Sequence, residues 1–570
     1  MPTLEFKGKN HIYAHHLTVP YRPLQLDESR SILAPTQTLP QKEGGLQSDI
    51  PLTDQNLIIH GDNLEALKAL LPHYAGRVKC IYIDPPYNTG NEGWVYNDNV
   101  NSPLMQDWFE KQSPVDGEDL ERHDKWLCMM WPRLYLLREL LRDDGVIFVS
   151  IDENEVYHLQ MLMNEIFGEE NFVTQFVWQS RESVQNDTDI SVSHEYVMAF
   201  ARIRRKSDRR LRERNADKWY GINEFAFYPL PASKSRYSND DDDPRGPWKL
   251  DPFDAPNIRD NLTYEIVNEE TGQIHLPPSG RCWRTEYDRY KQLDADGRIM
   301  FGKSGNARPA LKVFYEEKRD FGETSITWLA GSKYGTATSA TKTLQDLFGG
   351  ESPFDTVKPV ELIKHLINLS TRDNDVVLDS FAGSGATAHA VLALNQEDGG
   401  NRRFILVECE DYADSITAER VRRVIRGVPN AKNKALKEGL GGSFAYCTLG
   451  EAINVDSLLE GDKLPSYTDL ASYLLHTATG ISASSGGLDA NGVDGLFYSA
   501  GERDYYLIYE PSLEFLRSND AALNLERAER IRDKARSAVV FAAAKYISQS
   551  VLTKWNITFC QLPYELGFGG

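Results

Sequence analysis

A carboxylate, two prolines and a tyrosine stand in direct succession at Asp84-Pro85-Pro86-Tyr87, immediately after the apolar run CIYI. Together these residues suit one kind of chemistry, the activation of an aromatic amine. The lone pair of an exocyclic amine is delocalised into its ring, which makes the nitrogen a weak nucleophile. A carboxylate and a carbonyl that accept its two N–H bonds localise the pair toward an incoming electrophile. Asp84 offers the carboxylate and the Pro85 main chain offers the carbonyl. The prolines stiffen the loop and bring no N–H of their own to compete for these acceptors. Tyr87 offers a ring face on which a planar base can stack, and such stacking typically returns ~1–3 kcal/mol.

A second set lies nearly 300 residues further on, in VVLDSFAGSGATAHAVL (376–392). Three apolar residues lead into Asp379, then Phe381, Ala382, Gly383 and Gly385, and then a helix-forming run. Glycine permits a sharp turn and a close backbone approach to a ligand at the end of a strand. Glu408 closes the next apolar run, RRFILVE, 23 residues after Gly385, where a carboxylate can accept the hydroxyls of a ribose. The loop alone does not select the cofactor, because Gly383-Ser-Gly385-Ala-Thr-Ala388 also satisfies the G-x-G-x-x-A form of a dinucleotide site. Asp-Pro-Pro-Tyr has no place in a nicotinamide-linked oxidoreductase, and the two motifs in one chain point away from that alternative.

The elements that must hold these loops read as alternating strands and helices. NLIIHGD (56–62) is a short apolar strand, followed by the helix-like NLEALKALLPHY, and KCIYIDPPY (79–87) is a second strand ending in a turn. Leu127, Met130, Leu134, Leu137 and Leu141 recur at three-and-four spacing and mark one face of a helix. That helix is expected to stop at RDDG (142–145), with GVIFVSID (145–152) as a third buried strand and FVTQFVW (172–178) and YVMAFAR (196–202) as two more. The pattern predicts a parallel sheet covered on both faces. It breaks over 203–353, a stretch rich in charge, Gly, Pro and aromatics, which reads as an inserted domain. It resumes over 354–428. Residues 1–55 read as an N-terminal extension, 56–202 as the catalytic part of the main domain, and 429–570 as a C-terminal α+β region with a helix near 522–537.

Composition narrows the class further. The chain has 570 residues, 41% hydrophobic and 26% charged, with a net charge of -21. This is a globular composition of about two to four domains. No apolar run is long enough to span a membrane, and the first residues lack the apolar core of a signal peptide. Six cysteines without a C-x-x-C pair argue against a zinc or disulfide framework and suit a cytoplasmic protein; no metal is expected. The acidic total does not exclude a nucleic-acid partner, because binding depends on local surface charge. One basic excess stands out at Ala201–Arg214, with eight basic residues against two acidic, and Arg204, Arg205, Lys206, Arg209 and Arg210 are its candidate phosphate contacts.

With these motifs in hand, the sequence resembles the β-class amino-methyltransferases of DNA, and most closely the Mod subunits of type III restriction–modification systems. HGDNLEALKALL, IDPPYNTG, HDKWLCMMWPRLYLLRELLRDDGVIFVSIDENE, DPRGPW, PPSGRCWR, FDTVKPVELIKHL and DSFAGSGATAHAVLALN carry the resemblance. It implies a Rossmann-like S-adenosylmethionine-dependent methyltransferase with permuted motif order and an inserted target-recognition domain. Asp84, Pro85, Pro86 and Tyr87 match the catalytic tetrapeptide. Asp379, Phe381, Ala382, Gly383 and Gly385 match the loop around the methionine end of the cofactor, and Glu408 matches the ribose-binding acid. Asp62 matches the acidic position near the adenosine, and Lys358 and Pro359 match the segment that closes over the methionine moiety. Two departures are Ser380, where a second aromatic is common, and Trp94, where Phe is commoner.

The implied reaction is methylation of adenine N6 in double-stranded DNA after the base is flipped out. Methylation of cytosine N4 is the nearest rival, and Ser-Pro-Pro-Tyr is more usual for it. A subunit that mainly delivers a nuclease partner is another. The resemblance further implies a homodimer and a separate helicase–nuclease (Res) subunit. Two leads fall away on chemistry. Gly297–Ser304 fits the G-x-x-x-x-G-K-S phosphate loop literally, but the polar KQLDADG precedes it where a strand is required. His15-His16 has no partner cluster and reads as a pair of ordinary surface histidines.

Overall fold

The computed structural model describes residues 3–33, 52–90, 121–184, 189–204, 227–228, 236–239, 241–302, 305–319, 324–453, 464–483, 487–490 and 492–562. By its contacts the chain divides into two units, 1–227 with 326–570, and 228–325.

The larger unit is built on one ten-stranded sheet. Its strands are β1 (Leu24–Ile32), β2 (Leu57–His60), β3 (Val78–Ile83), β4 (Leu141–Ile151), β5 (Phe172–Gln179), β6 (His194–Ala201), β7 (Trp328–Leu329), β8 (Val376–Asp379), β9 (Arg403–Glu408) and β10 (Phe444–Leu449), in the order β1-β10-β2-β9-β8-β3-β4-β6-β5-β7. From β10 to β4 all neighbours are parallel. The helices α1 (Asn63–Tyr74), α2 (Arg122–Leu140), α3 (Val156–Phe167), α4 (Ala337–Phe348), α5 (Val360–Ser370) and α6 (Ala386–Asp398) belong to the same unit.

The expected apolar stripe is buried throughout: Leu127, Met130, Leu134 and Leu137 pack from α2 into the main core. Each such side chain contributes about 1.5–3 kcal/mol on burial. Leu141 is also buried, but as the first residue of β4, because the helix ends at Leu140.

Two parts of the sheet depart from the all-parallel expectation. β6 runs antiparallel to both β4 and β5. The β5–β6 connection contains no helix among its described residues, and an antiparallel return needs none, whereas a parallel crossover does. β1 pairs antiparallel with β10, so the N-terminal extension is an integral edge of the sheet. Its Leu4, Ile12 and Val19 join the main core. His15 and His16 are buried, contrary to the surface reading, and His16 stacks on Tyr135 at 4.1 Å. Burial lowers the His16 pKa to about 4.

The second unit, 228–325, lies inside the expected insertion. Residues 328–337 instead hold to β5: β7 pairs with it, and the Trp178 indole donates to the Gly335 carbonyl at 2.9 Å. Within the second unit, Trp248–Pro252, Ala310–Phe314 and Ile299–Met300 form a small antiparallel sheet. Phe253, Trp283, Tyr290 and Leu293 fill its core. A helix (Tyr287–Ala295) precedes Gly297, and the short strand Ile299–Met300 falls inside the phosphate-loop lookalike. This is the wrong order for a phosphate loop.

The C-terminal region has a four-stranded sheet in the order Leu496–Ala500, Arg503–Ile508, Ser537–Ala542, Ile557–Gln561. Its helix at Leu525–Lys534 falls within the stretch expected from sequence. No helix among the described residues is long and apolar enough to cross a membrane.

Candidate functional site

The parallel strands end along one sheet edge, and the chemistry-bearing residues collect there. Asp379 is the last residue of β8, and β8 pairs directly with β3, which ends one residue before Asp84. On the other side β8 pairs with β9, whose last residue is Glu408, and Glu408 lies opposite His60 of β2, two residues before Asp62. Sheet topology thus closes the long sequence gap between the motifs, as expected where ligands bind at the carboxyl ends of strands.

The glycine loop is held from both sides. Asp379 is 3% exposed; it accepts the Thr387 hydroxyl at 2.5 Å and the Phe381 N–H at 3.0 Å. Burial raises its pKa to about 7 against those hydrogen bonds, and Asp84 and Glu408 push it the same way. Glu408 accepts the Gly383 N–H at 2.7 Å and those of Cys409 and Glu410 at 3.0 and 3.1 Å. Burial raises its pKa as well, opposed by those N–H groups. Gly385 caps α6 at φ 78, and a Cβ there would meet the Thr417 carbonyl oxygen at 3.0 Å. Gly383 has φ 49, with the Phe354 ring over it. Arg420, fully buried, braces the loop by donating to Ser384 Oγ at 2.8 Å.

Around Asp84 the groups converge tightly. The Tyr87 hydroxyl lies 2.9 Å from Asp84 Oδ1 and 3.1 Å from Glu195 Oε2. The Lys358 ammonium lies 2.9 Å from Asp84 and 3.5 Å from Glu195, and 4.8 Å from the Tyr87 ring centroid. Burial lowers the Lys358 pKa, but the charges of Asp84 and Glu195 outweigh it, and the net shift is upward. The Trp126 indole donates to the Pro86 carbonyl at 2.7 Å. The Pro85 carbonyl has no donor among the described residues.

Several of the expected site residues have partners within the fold. Lys358, expected over the methionine moiety, has its ammonium 2.9 Å from the Asp84 carboxylate. Asp62 caps α1 by accepting the Leu64 and Glu65 N–H groups at 2.9 and 3.1 Å. Pro359 is buried and packs where a Cβ on Gly335 would sit. Arg204 is exposed, and its guanidinium donates to the Phe172 carbonyl; Arg205, Lys206, Arg209 and Arg210 lie outside the described residues, as does Trp94.

Two groups were missed from sequence. Glu195 is the second residue of β6, and the antiparallel direction of that strand brings its first residues to the edge where β3 and β4 end. Glu155, fully buried, accepts from Asn88, one residue beyond Tyr87, and lies 2.5 and 2.8 Å from the Nδ1 atoms of His123 and His158. Its hydrogen bond raises the His158 pKa. These three residues could also surround a metal ion, but their contacts are those of a satisfied buried carboxylate that anchors the Asp84–Asn88 loop from behind.

Two strand-end loops, one glycine-rich with a downstream acid and one bearing a carboxylate beside an aromatic ring, meet at one edge of a Rossmann-like α/β sheet. The DNA methylase family model matches residues 78–419, and the chain belongs to that family. It is 36% identical over 417 residues to the type III restriction-modification enzyme StyLTI Mod subunit of Salmonella typhimurium, covering 68% of this chain and 59% of that one. Identity with the EcoP15I Mod subunit of Escherichia coli is 32%, covering 67% and 62%. The type II methyltransferase M.KpnI of Klebsiella pneumoniae is 30% identical, covering 63% of this chain and 82% of that one. The chain spans about three fifths of the length of the first two relatives.

Proposed function

We propose that the chain transfers a methyl group from S-adenosylmethionine to N6 of an adenine drawn out of double-stranded DNA, as the modification and recognition subunit of a type III restriction–modification system. The observation that carries this reading is the adjacency of Asp84–Tyr87 and Asp379–Gly385 at the ends of two paired parallel strands. The residues fit the cofactor. Gly383 and Gly385, both at positive φ, let the loop turn tightly against Phe354 and Thr417, where a Cβ would intrude. The buried Asp379, whose charged form burial disfavours, favours a cationic group beside it. Asp379, Phe381, Ala382, Gly383 and Gly385 would hold the methionine end, Glu408 the ribose, and Asp62 would lie toward the adenosine.

Bound S-adenosylmethionine supplies an electrophilic methyl group on a sulfonium. The chain's own residues do the rest. Asp84 and the Pro85 carbonyl accept the two N–H bonds of the target amine and aim its lone pair. Trp126 holds the neighbouring Pro86 carbonyl, which fixes the loop in the orientation that presents Pro85. Tyr87 stacks on the base and offsets part of the few kcal/mol that flipping costs. Orientation and placed hydrogen-bond acceptors are the protein's contribution to rate.

The unit 228–325 serves as the target-recognition domain in this reading, with the basic run after Ala201 on DNA phosphates. The C-terminal region supplies dimer or Res-subunit contacts, and the protein works in the cytoplasm. Long-read sequencing of DNA from cells that express the chain alone, beside an Asp84→Ala control, tests the reaction. N6-methyladenine at one motif, absent in the control, is expected. N4-methylcytosine would transfer the function to cytosine, and an unmodified genome would refute the proposal.

A further inference from the structure

Both oxygens of Asp84 are occupied in the structure, which is the wrong state for a group that must accept a hydrogen bond from the target amine. Oδ1 faces the Tyr87 hydroxyl at 2.9 Å, and the Lys358 ammonium lies 2.9 Å from each oxygen. The same ammonium sits by the Tyr87 ring, where a base must stack. Lys358 therefore masks the carboxylate and also crowds the stacking surface.

Each masking group has a second acceptor, and for both it is Glu195. The Tyr87 hydroxyl has one proton to give, and Glu195 Oε2 is within 3.1 Å of it. Lys358 has three N–H donors and is 3.5 Å from the same oxygen. The Asp84, Glu195 and Lys358 side chains are 24%, 22% and 10% exposed, so an ammonium pulled off Asp84 without another partner would be left half-desolvated. Two carboxylates share one cation, with Tyr82 and Asp379 as the next charged or titratable neighbours.

We propose that Glu195 is a positioning residue that draws the Lys358 ammonium and the Tyr87 hydroxyl away from Asp84 as the target amine enters. Lys358 holds the Asp84 carboxylate in place until the base arrives. Glu195 then receives the cation through a small movement, and one Asp84 oxygen is released to the amine. This inference rests on the methyltransferase reading of the site.

The test uses the full chain with tritiated S-adenosylmethionine and plasmid DNA from a methylation-deficient host. Glu195→Gln should lower kcat about 10–100-fold, with the KM for S-adenosylmethionine within about twofold of wild type, because Lys358 then has only Asp84. Glu195→Asp, which keeps the charge at shorter reach, should recover part of the loss. Adding Lys358→Met to Glu195→Gln should raise kcat at least about threefold over Glu195→Gln alone, since no ammonium remains to be moved. A merely structural glutamate would give losses that multiply, with both KM and melting temperature disturbed. If Glu195→Gln does not fold, the comparison of Glu195→Asp with and without Lys358→Met carries the same sign. Labelled DNA from wild type together with an unimpaired Glu195→Gln, or a double variant no faster than the single, would overturn this inference alone. A wild-type chain that labels no DNA would overturn the methyltransferase reading and this inference with it.

Discussion

Asp379 should make the methyltransferase unit less stable as pH rises, and replacing it with asparagine should remove that dependence. In an unfolded chain the carboxyl titrates near its ordinary value of 3.8, whereas in the folded site burial raises it to about 7. Below the lower value both states carry the proton and the neutral acid sits in the core without penalty. Between the two values the unfolded state ionises in water while the folded state resists, so stability falls with pH until the folded group also ionises near 7. One unit of difference is worth about 1.4 kcal/mol, so the full window of about three units spans roughly 4 kcal/mol.

The part between about pH 5.5 and 7 is about half of that window, or about 2 kcal/mol. An asparagine side chain at this position would still accept the Phe381 N–H through its carbonyl oxygen and could donate to the Thr387 hydroxyl. Its cost should be about 1 kcal/mol and independent of pH. Melting curves of wild type and Asp379→Asn at about pH 5.5 and 8, without cofactor, measure the difference. The gap between the proteins should move by roughly 2–4 °C in favour of the variant at the higher pH. S-adenosylmethionine at saturating concentration should restore wild type at the higher pH and do little for the variant. Parallel pH dependences in the two proteins would refute the reasoning, because the buried charge would then not be Asp379's.

The other predictions follow from single contacts. Gly385→Ala forces a Cβ into the left-handed region and to 3.0 Å from the Thr417 carbonyl; calorimetric affinity for S-adenosylmethionine should fall at least about tenfold while the Asp84 loop is untouched. Tyr87→Ala should cost about 10–100-fold in methyl transfer through lost stacking worth ~1–3 kcal/mol. Tyr87→Phe, which keeps the ring and removes one masking hydroxyl, should stay within about threefold in the same tritium assay. Glu155→Gln leaves the two histidines and Asn88 competing for one carbonyl oxygen. It should lower kcat more than cofactor affinity, and an unchanged kcat would show that the Asn88 anchor does not set the loop.

How much of this was legible in the sequence depends on whether a residue's role is local. Asp84-Pro85-Pro86-Tyr87 and Gly383-Ser384-Gly385 could be read because each loop carries its chemistry in consecutive residues. The apolar runs around them fix strand ends without reference to distant chain. The α2 stripe was legible for the same reason, since helical spacing reports its own buried face. The direction of β6 was not, because buried strands of either direction read as apolar runs, and the run alone does not report which way the chain crosses the sheet. The N-terminal extension hid its contribution because β1 is an edge strand, half-exposed along its length.

Glu195 and Lys358 show where local reading stops. HEYVMAF offers a glutamate at the start of an apolar run, which is most simply a solvated strand end. Its contacts with Tyr87 and Lys358 exist only because the antiparallel return brings that end to the same sheet edge. Lys358 precedes α5 in a segment whose resemblance pointed to the cofactor, and its ammonium lies 2.9 Å from the Asp84 carboxylate. Both are long-range electrostatic relations, Glu195 reaching Tyr87 across 108 residues of chain and Lys358 reaching Asp84 across 274. Neither leaves a spacing that a motif could record. The arrangement also explains how Asp84 and Glu195 can share a partly buried pocket without a second cation among their described contacts. One buried ammonium lies 2.9 Å from Asp84 and 3.5 Å from Glu195, and in the mechanism proposed above the entering amine decides between them.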